Sequence, residues 1–373
     1  MPPQDSPKLS TPWQFPVTGG LVLALPGLDG LYLLNPSAAF IWQQMSLGSS
    51  PNQISANLAE TFRIPTEVAT RDVQATLHQW EDLFRHENAV HPSPPAPTHT
   101  ASEQISIACH WNGKHFHVTL DSPELQAEIT PRLSALRVPQ AEPDFTLTLT
   151  TAEDAINLHC GAEFIAAEPN VSAARAILLQ EIARRCATTP RQWLSLLHAG
   201  ACGNHRSCVI FPAASRSGKT TLAAVLMQGG LTFYADDSVA LEKETLEIPV
   251  MPFGLPIREG SWPLLAERVP GFDHLPVSQR FGQQIRFIYP AVHQASVRAA
   301  AIVFPSYAPG SKLSIHPLNT LEALIHLKES GFWVENQQES INGFLAWLES
   351  LRCFQMAYAQ VDEAAGFITT LLQ

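Results

Sequence analysis

Hydrophobic and polar positions change period along the chain. Residues 21–25 and 31–34 are short apolar runs that predict two strands, joined by a turn over 26–30 that holds Pro26, Asp29 and two glycines. Asn35 followed by Pro36 predicts a capped helix with Ala39, Phe40, Trp42 and Met45 on its apolar face. Ser50 and Pro51 repeat that signal for a second helix carrying Ile54, Leu58 and Phe62. Pro65 opens a longer third helix, with Val68, Val73, Leu77, Trp80 and Leu83 or Phe84 at helical spacing. A hairpin followed by three helices is a small winged-helix arrangement over 16–90. Trp42 and Trp80 read as its core, and residues 1–15, polar and proline-bearing, as a flexible tail.

Residues 91–104 are proline-dense without apolar period, which predicts a semi-rigid linker. Alternation then predicts half-buried strands at 105–109, 115–120, 145–149 and 156–160, and a helix over 171–186 with Ala174, Ile177, Leu178 and Ile182 inward. Segment 105–189 is therefore a β-rich subdomain. From 190 to 373 strands and helices alternate: strands at 207–211, 231–241, 299–304 and 354–358, and helices at 220–227, 318–327 (capped by Asn319) and 361–372. That pattern is α/β. His115 and His117 share one strand face, as a metal pair would. With no third ligand placed nearby they read as a solvated face.

Composition narrows the function. At 45% hydrophobic and 15% charged residues the chain is globular. A formal net charge of −11 argues against nucleic acid as a partner. The six cysteines form no CxxC pair, so neither a disulfide framework nor a zinc ribbon is indicated. No apolar run approaches the roughly 20 residues that span a bilayer. The expectation is a soluble cytoplasmic protein without a membrane partner.

Most of the candidate chemistry lies near one loop. An apolar strand ending near Phe211 leads through Ala214, Ser215, Arg216 and Ser217 to a helix opening with Gly218, Lys219, Thr220 and Thr221. This is the layout of a phosphate cradle: amides face the phosphates, the lysine bridges the β and γ groups, and the threonine hydroxyl holds Mg²⁺. Ala213 stands where the signature asks for glycine, and Arg216 stands where glycine is frequent. Downstream, an apolar run ends in Asp236 and Asp237, carboxylates suited to holding a metal and accepting a proton. Upstream, His198 opens another short strand.

The trio of His198, the 213–221 cradle and the Asp236–Asp237 pair resembles the HPr kinase/phosphorylase family. The resemblance implies a P-loop core of the HPr-kinase/PEP-carboxykinase type that uses ATP and Mg²⁺. Thr220 and Asp236 would hold the metal, Asp237 would take the proton of a serine or threonine hydroxyl, and His198 would orient or tune it. The two aspartate roles could be exchanged. Arg258 would offset charge on the transferring group and Glu259 would assist the metal. The family forms oligomers, so a homo-oligomer is expected.

Residues 30–42, a glycine followed by Leu31, Tyr32, Leu33, Leu34, Asn35 and then Ile41 and Trp42, resemble the PqqD family. PqqD-like domains bind the leader of ribosomally made precursor peptides as an added strand. Together the two resemblances imply a Ser/Thr kinase acting on a captured precursor peptide. The alternatives are a nucleotide-gated peptide-binding protein with an inactive kinase-like half, and a kinase/phosphatase of a carrier protein such as HPr.

Overall fold

The structure, a computed structural model, describes residues 12–26, 30–86, 104–186, 192–214, 217–280, 282–291 and 295–373. Most of the expected linker, the middle of the 26–30 turn and the cradle residues Ser215 and Arg216 lie outside them. The chain divides into two compact units. The first holds residues 1–93, 318–325 and 334–350, and the second holds 94–317, 326–333 and 351–373. Segments 105–189 and 190–373 thus share a unit, apart from two C-terminal stretches that join the first.

In the first unit, β1 (Trp13–Val17), β2 (Gly20–Ala24) and β3 (Tyr32–Leu34) form an antiparallel sheet in that order. Strand β1 begins inside the segment expected to be a flexible tail. Phe15 points inward while Gln14 and Pro16 stay exposed, a two-residue period that the polar composition masks. Helices α1 (Pro36–Ser46), α2 (Pro51–Phe62) and α3 (Thr66–His86) come next. The Asn35 side chain accepts from the Ala38 amide at 2.9 Å, and Ser50 and Gln53 close a reciprocal capping box. Ile41, Trp42, Ile54, Leu58, Val73 and Trp80 make the core, with the two indoles edge to face at 5.5 Å. Phe40 and Met45, expected inward, are half-buried, and Ile41 takes the inner place. Backbone bonds explain why later residues join this unit: Leu321 N donates to Thr18 O at 3.1 Å, and Thr18 N donates to Glu349 at 3.1 Å.

The second unit opens with a five-stranded sheet of β4 (Ile105–Trp111), β5 (Lys114–Leu120), β6 (Phe145–Thr151), β7 (Ile156–Cys160) and β8 (Glu163–Glu168), in sequential order. Helix α4 (Pro123–Ile129) lies between β5 and β6 in sequence, and α5 (Val171–Arg185) comes after β8. The buried stripe of α5 is Val171, Ala174, Arg175, Leu178, Leu179 and Ile182; Ile177 is half-buried. His115 and His117 are half-buried on β5. Among the described residues no group of three or more His, Cys, Asp or Glu is placed to hold a metal ion.

The larger sheet decides where the chemistry sits. After β9 (Trp193–Leu197) come β10 (Ala199–Gly203), β11 (Ser207–Pro212), α6 (Lys219–Gln228), β12 (Thr232–Ala235), β13 (Val239–Glu242), β14 (Glu247–Ile248) and β15 (Leu255–Arg258). Segment 252–261, a loop-rich stretch by its prolines and glycines, contains the strand β15, which pairs with β17 (Gln283–Ile288) beside β16 (Val277–Arg280). The remaining elements are β18 (Val297–Tyr307), β19 (Ser314–Leu318), α8 (Thr320–Ser330), β20 (Phe332–Val334), α9 (Gln338–Glu349), β21 (Arg352–Tyr358) and α10 (Val361–Thr370), with α7 (Trp262–Ala266) before β16. The sheet order is β12-β10-β11-β18-β21-β19, and β11, β18 and β21 run parallel.

The single run expected over 231–241 is two strands in two sheets. Strand β12 pairs with β10 in the large sheet, while β13 pairs with β9 in a second sheet, β13-β9-β20. Between β9 and β10 stands His198 alone, and between β12 and β13 stand Asp236, Asp237 and Ser238. Two antiparallel neighbours that change sheet at the same level must bring their crossing residues face to face. This register, with Leu197 opposite Val239 and Ala201 opposite Ala235, sets the histidine against the acid pair. Among the described residues no helix is long and apolar enough to cross a membrane.

Candidate active site

A cavity of about 700 Å³ opens where β11 meets α6. Its lining includes Ala214, Gly218, Lys219, Thr220 and Thr221 from the loop and helix start, His198, Asp237 and Arg175, and Arg258, Glu259 and Ser261 from the end of β15 and just after it. The backbone at Gly218 has φ +92°, and a Cβ there would lie 2.8 Å from the Tyr358 hydroxyl, so both angle and space require glycine. Ala213, buried at the end of the strand, is not among the residues with left-handed angles, so its methyl imposes no backbone strain. Ser215 and Arg216 lie outside the described residues.

Lys219 is 6% exposed, and its ammonium has no hydrogen-bond partner among the described residues. Its Nζ stands 3.9 Å from Asp237 Oδ1. Burial lowers its pKa, opposed by the charges of Asp236 and Asp237. Ser217 Oγ is likewise buried without a partner among the described residues. Thr220 Oγ1 donates to Asp236 at 3.1 and 3.3 Å, which joins the first turn of α6 to the end of β12. Thr221 shares a 2.6 Å hydrogen bond with Ser261, another residue lining the cavity.

The two aspartates differ in environment. Asp236 is buried, and burial together with the neighbouring charge of Asp237 pushes its pKa up to about 6. Asp237, at φ +68°, sits in a left-handed conformation that aspartate tolerates better than most residues. Its Oδ2 accepts from Arg132 Nη2 at 2.7 Å and lies 3.3 Å from Arg175 Nη2. Burial works against its charge, but Arg132, Arg175 and Lys219 outweigh it and hold the carboxyl well below the usual range. Oδ1 is left toward the cavity, 3.9 Å from His198 Nε2. Arg175 also pairs with Glu128 from α4.

Two site residues, Arg132 and Arg175, are not foreseen from the sequence. Arg132 stands just past α4 with no periodic signal. Arg175 has one: it occupies the apolar stripe of α5, one turn before Leu178 and Leu179, where an arginine must find a buried acid. Arg258 and Glu259 also line the cavity.

His198 is held neutral. Burial first, and the Lys219 charge next, lower its pKa to about 4 from an ordinary 6.5, against the pull of Asp237. The unfolded chain therefore binds a proton here that the folded chain refuses. The stability this group contributes is present above pH 6.5 and is lost as pH falls toward 4. Because the ring is over a third exposed, solvent screens part of this effect. Between pH 6.5 and 4 the wild type should lose more stability than His198→Gln in urea titrations. Parallel curves for the two proteins would contradict the assignment.

Comparison with known proteins agrees with part of this picture. Residues 20–83 match the family model described as Coenzyme PQQ synthesis protein D (PqqD), so the N-terminus carries a PqqD domain. No curated protein matches the chain. Among solved structures, the HPr(Ser) kinase/phosphatase from Coxiella burnetii is similar at 12% identity, covering 47% of this chain and 92% of that one, with a TM-score of 0.22. So loose a likeness leaves function to be argued from the residues of the site.

Proposed function

We propose that this chain is an ATP-dependent kinase that phosphorylates a serine or threonine of a ribosomally made precursor peptide, captured through its leader by the PqqD domain. The observation that carries this reading is the buried ammonium of Lys219, which has no hydrogen-bond partner among the described residues and only a 3.9 Å approach to Asp237 Oδ1. A desolvated charge without a hydrogen bond is costly, and it is retained where a ligand completes it. The β11–α6 loop and the start of α6 then form a P-loop.

The residues present fit a magnesium nucleotide. Lys219, Ser217 and the first amides of α6 are donors awaiting an anion, and Thr220 with Asp236 would hold Mg²⁺. Bound there, the metal supplies charge compensation on the phosphate oxygens. Lys219 neutralises charge on the transferring group. Asp237, kept ionised by two arginines, accepts a hydrogen bond from the substrate hydroxyl on Oδ1 and so aims it. A loose transition state asks little of a base, so a weakly basic carboxylate suffices, taking the hydroxyl proton as the bond from the substrate oxygen to the γ-phosphorus forms and the β–γ bridging bond breaks, with ADP as the leaving group. Neutral His198 flanks that oxygen and adds no competing charge. Carrying peptide capture and catalysis on one chain raises the effective concentration of the acceptor.

Incubating the full chain with Mg²⁺, γ-labelled ATP and a precursor peptide shown to bind it tests this reading. Label is expected on a serine or threonine of the peptide. A bound peptide that stays unlabelled would overturn it.

A further inference from the structure

Strands β18 and β21 run parallel and end together at Tyr307 and Tyr358, continuing past the end of neighbouring β11, at the edge of an α/β sheet where ligands gather. Asp236 and Asp237 lie on the β10–β12 side of β11. On the opposite side, the last residues of β18 and β21 are Tyr307 and Tyr358, paired in register. Tyr358 is 2% exposed, with burial pushing its phenol up to about 12, and its hydroxyl is packed toward Gly218. Tyr307 is 54% exposed, and its Cβ is 3.7 Å from where a Cβ on Gly218 would be. The rings meet edge to face at 5.8 Å and 61°, and Ala308 N donates to Tyr358 O at 2.8 Å, pinning the chain just past the ring.

We infer that Tyr307 is the platform on which the base of the nucleotide stacks, its ring held in place by Tyr358. This rests on the kinase reading above. A triphosphate gripped at Gly218–Thr220 has two ends. Its terminal phosphate must face Lys219 and the acids, so the nucleoside leaves the loop on the other side, and there the chain places an exposed aromatic ring. An aromatic face exposed beside a buried partner costs apolar surface in water, and a planar base would cover it. The platform recognises the base by its π face, so purine nucleoside triphosphates, with the larger surface, are the preferred class.

Equilibrium binding to the full chain in Mg²⁺, with ATP and inorganic tripolyphosphate as the two probes, separates base from phosphate. Tyr307→Ala should weaken ATP about 5- to 100-fold and leave tripolyphosphate unchanged, while Tyr307→Phe and Tyr307→Trp keep both within about twofold. Unchanged ATP affinity in Tyr307→Ala, or equal loss for both probes, would overturn the inference and leave the kinase reading standing. A wild-type protein that binds neither probe would remove both.

Discussion

Lys219→Met should slow phosphoryl transfer about 10²- to 10³-fold while leaving the protein at least as stable as the wild type. The two halves of this expectation have one cause. The ammonium is 6% exposed, unbonded among the described residues, and 3.9 Å from the nearest carboxylate oxygen, so in the free protein it is a desolvated charge with weak compensation. Methionine fills a similar volume without that charge, and such exchanges cost under about 1.5 kcal/mol of packing. Asp237 does not lose its partners, because Arg132 and Arg175 remain. With nucleotide bound, the same lysine would meet the β and γ oxygens. Deleting one preorganised charge contact of this kind typically lowers turnover about 10²- to 10³-fold. Thermal unfolding without ligand, set beside initial rates of peptide labelling, reads both. A variant that unfolds several degrees earlier yet transfers phosphate at the wild-type rate would make Lys219 a structural residue.

Asp237→Ala should do the reverse and damage the fold itself. Arg132 is 1% exposed; without Asp237 its remaining bond among the described residues is to the Gly254 carbonyl at 3.5 Å. Breaking one side of a buried ion pair costs about 3–5 kcal/mol, because the other charge stays desolvated. Arg175 keeps Glu128 and suffers less. Asp237→Asn keeps the shape, a hydrogen-bond acceptor and tolerance of the left-handed backbone, so its stability loss should be smaller. Its transfer rate should still fall at least about 100-fold, since the neutral amide cannot take the hydroxyl proton. A double-mutant cycle with Arg132→Met, followed in urea, measures the pair directly. Near-zero coupling, or an Asp237→Ala protein as stable as the wild type, would show that the contact adds little.

Much of the local structure is legible in the sequence, and for identifiable reasons. The Asn35 and Ser50 caps, the three N-terminal helices, α5, α6 and α10 are set by side-chain type at fixed offsets, which neighbouring residues decide. Strand β1 escapes such reasoning because its alternation spans five residues inside a polar, proline-bearing stretch. The run 231–241 looks like one strand because both of its halves are apolar; which sheet each joins depends on partners elsewhere in the chain.

From residue order alone come the loop that opens a helix with Gly218, Lys219 and Thr220, the acid pair at a strand end, and the histidine before them, because each depends only on neighbours along the backbone. Tertiary structure decided the identity of each acid's surroundings. It turned Asp236 toward Thr220 and gave Asp237 to Arg132 and Arg175, the first of these 105 residues away. Charge acts through space and burial, and neither distance nor dielectric is written in the spacing of residues along a chain.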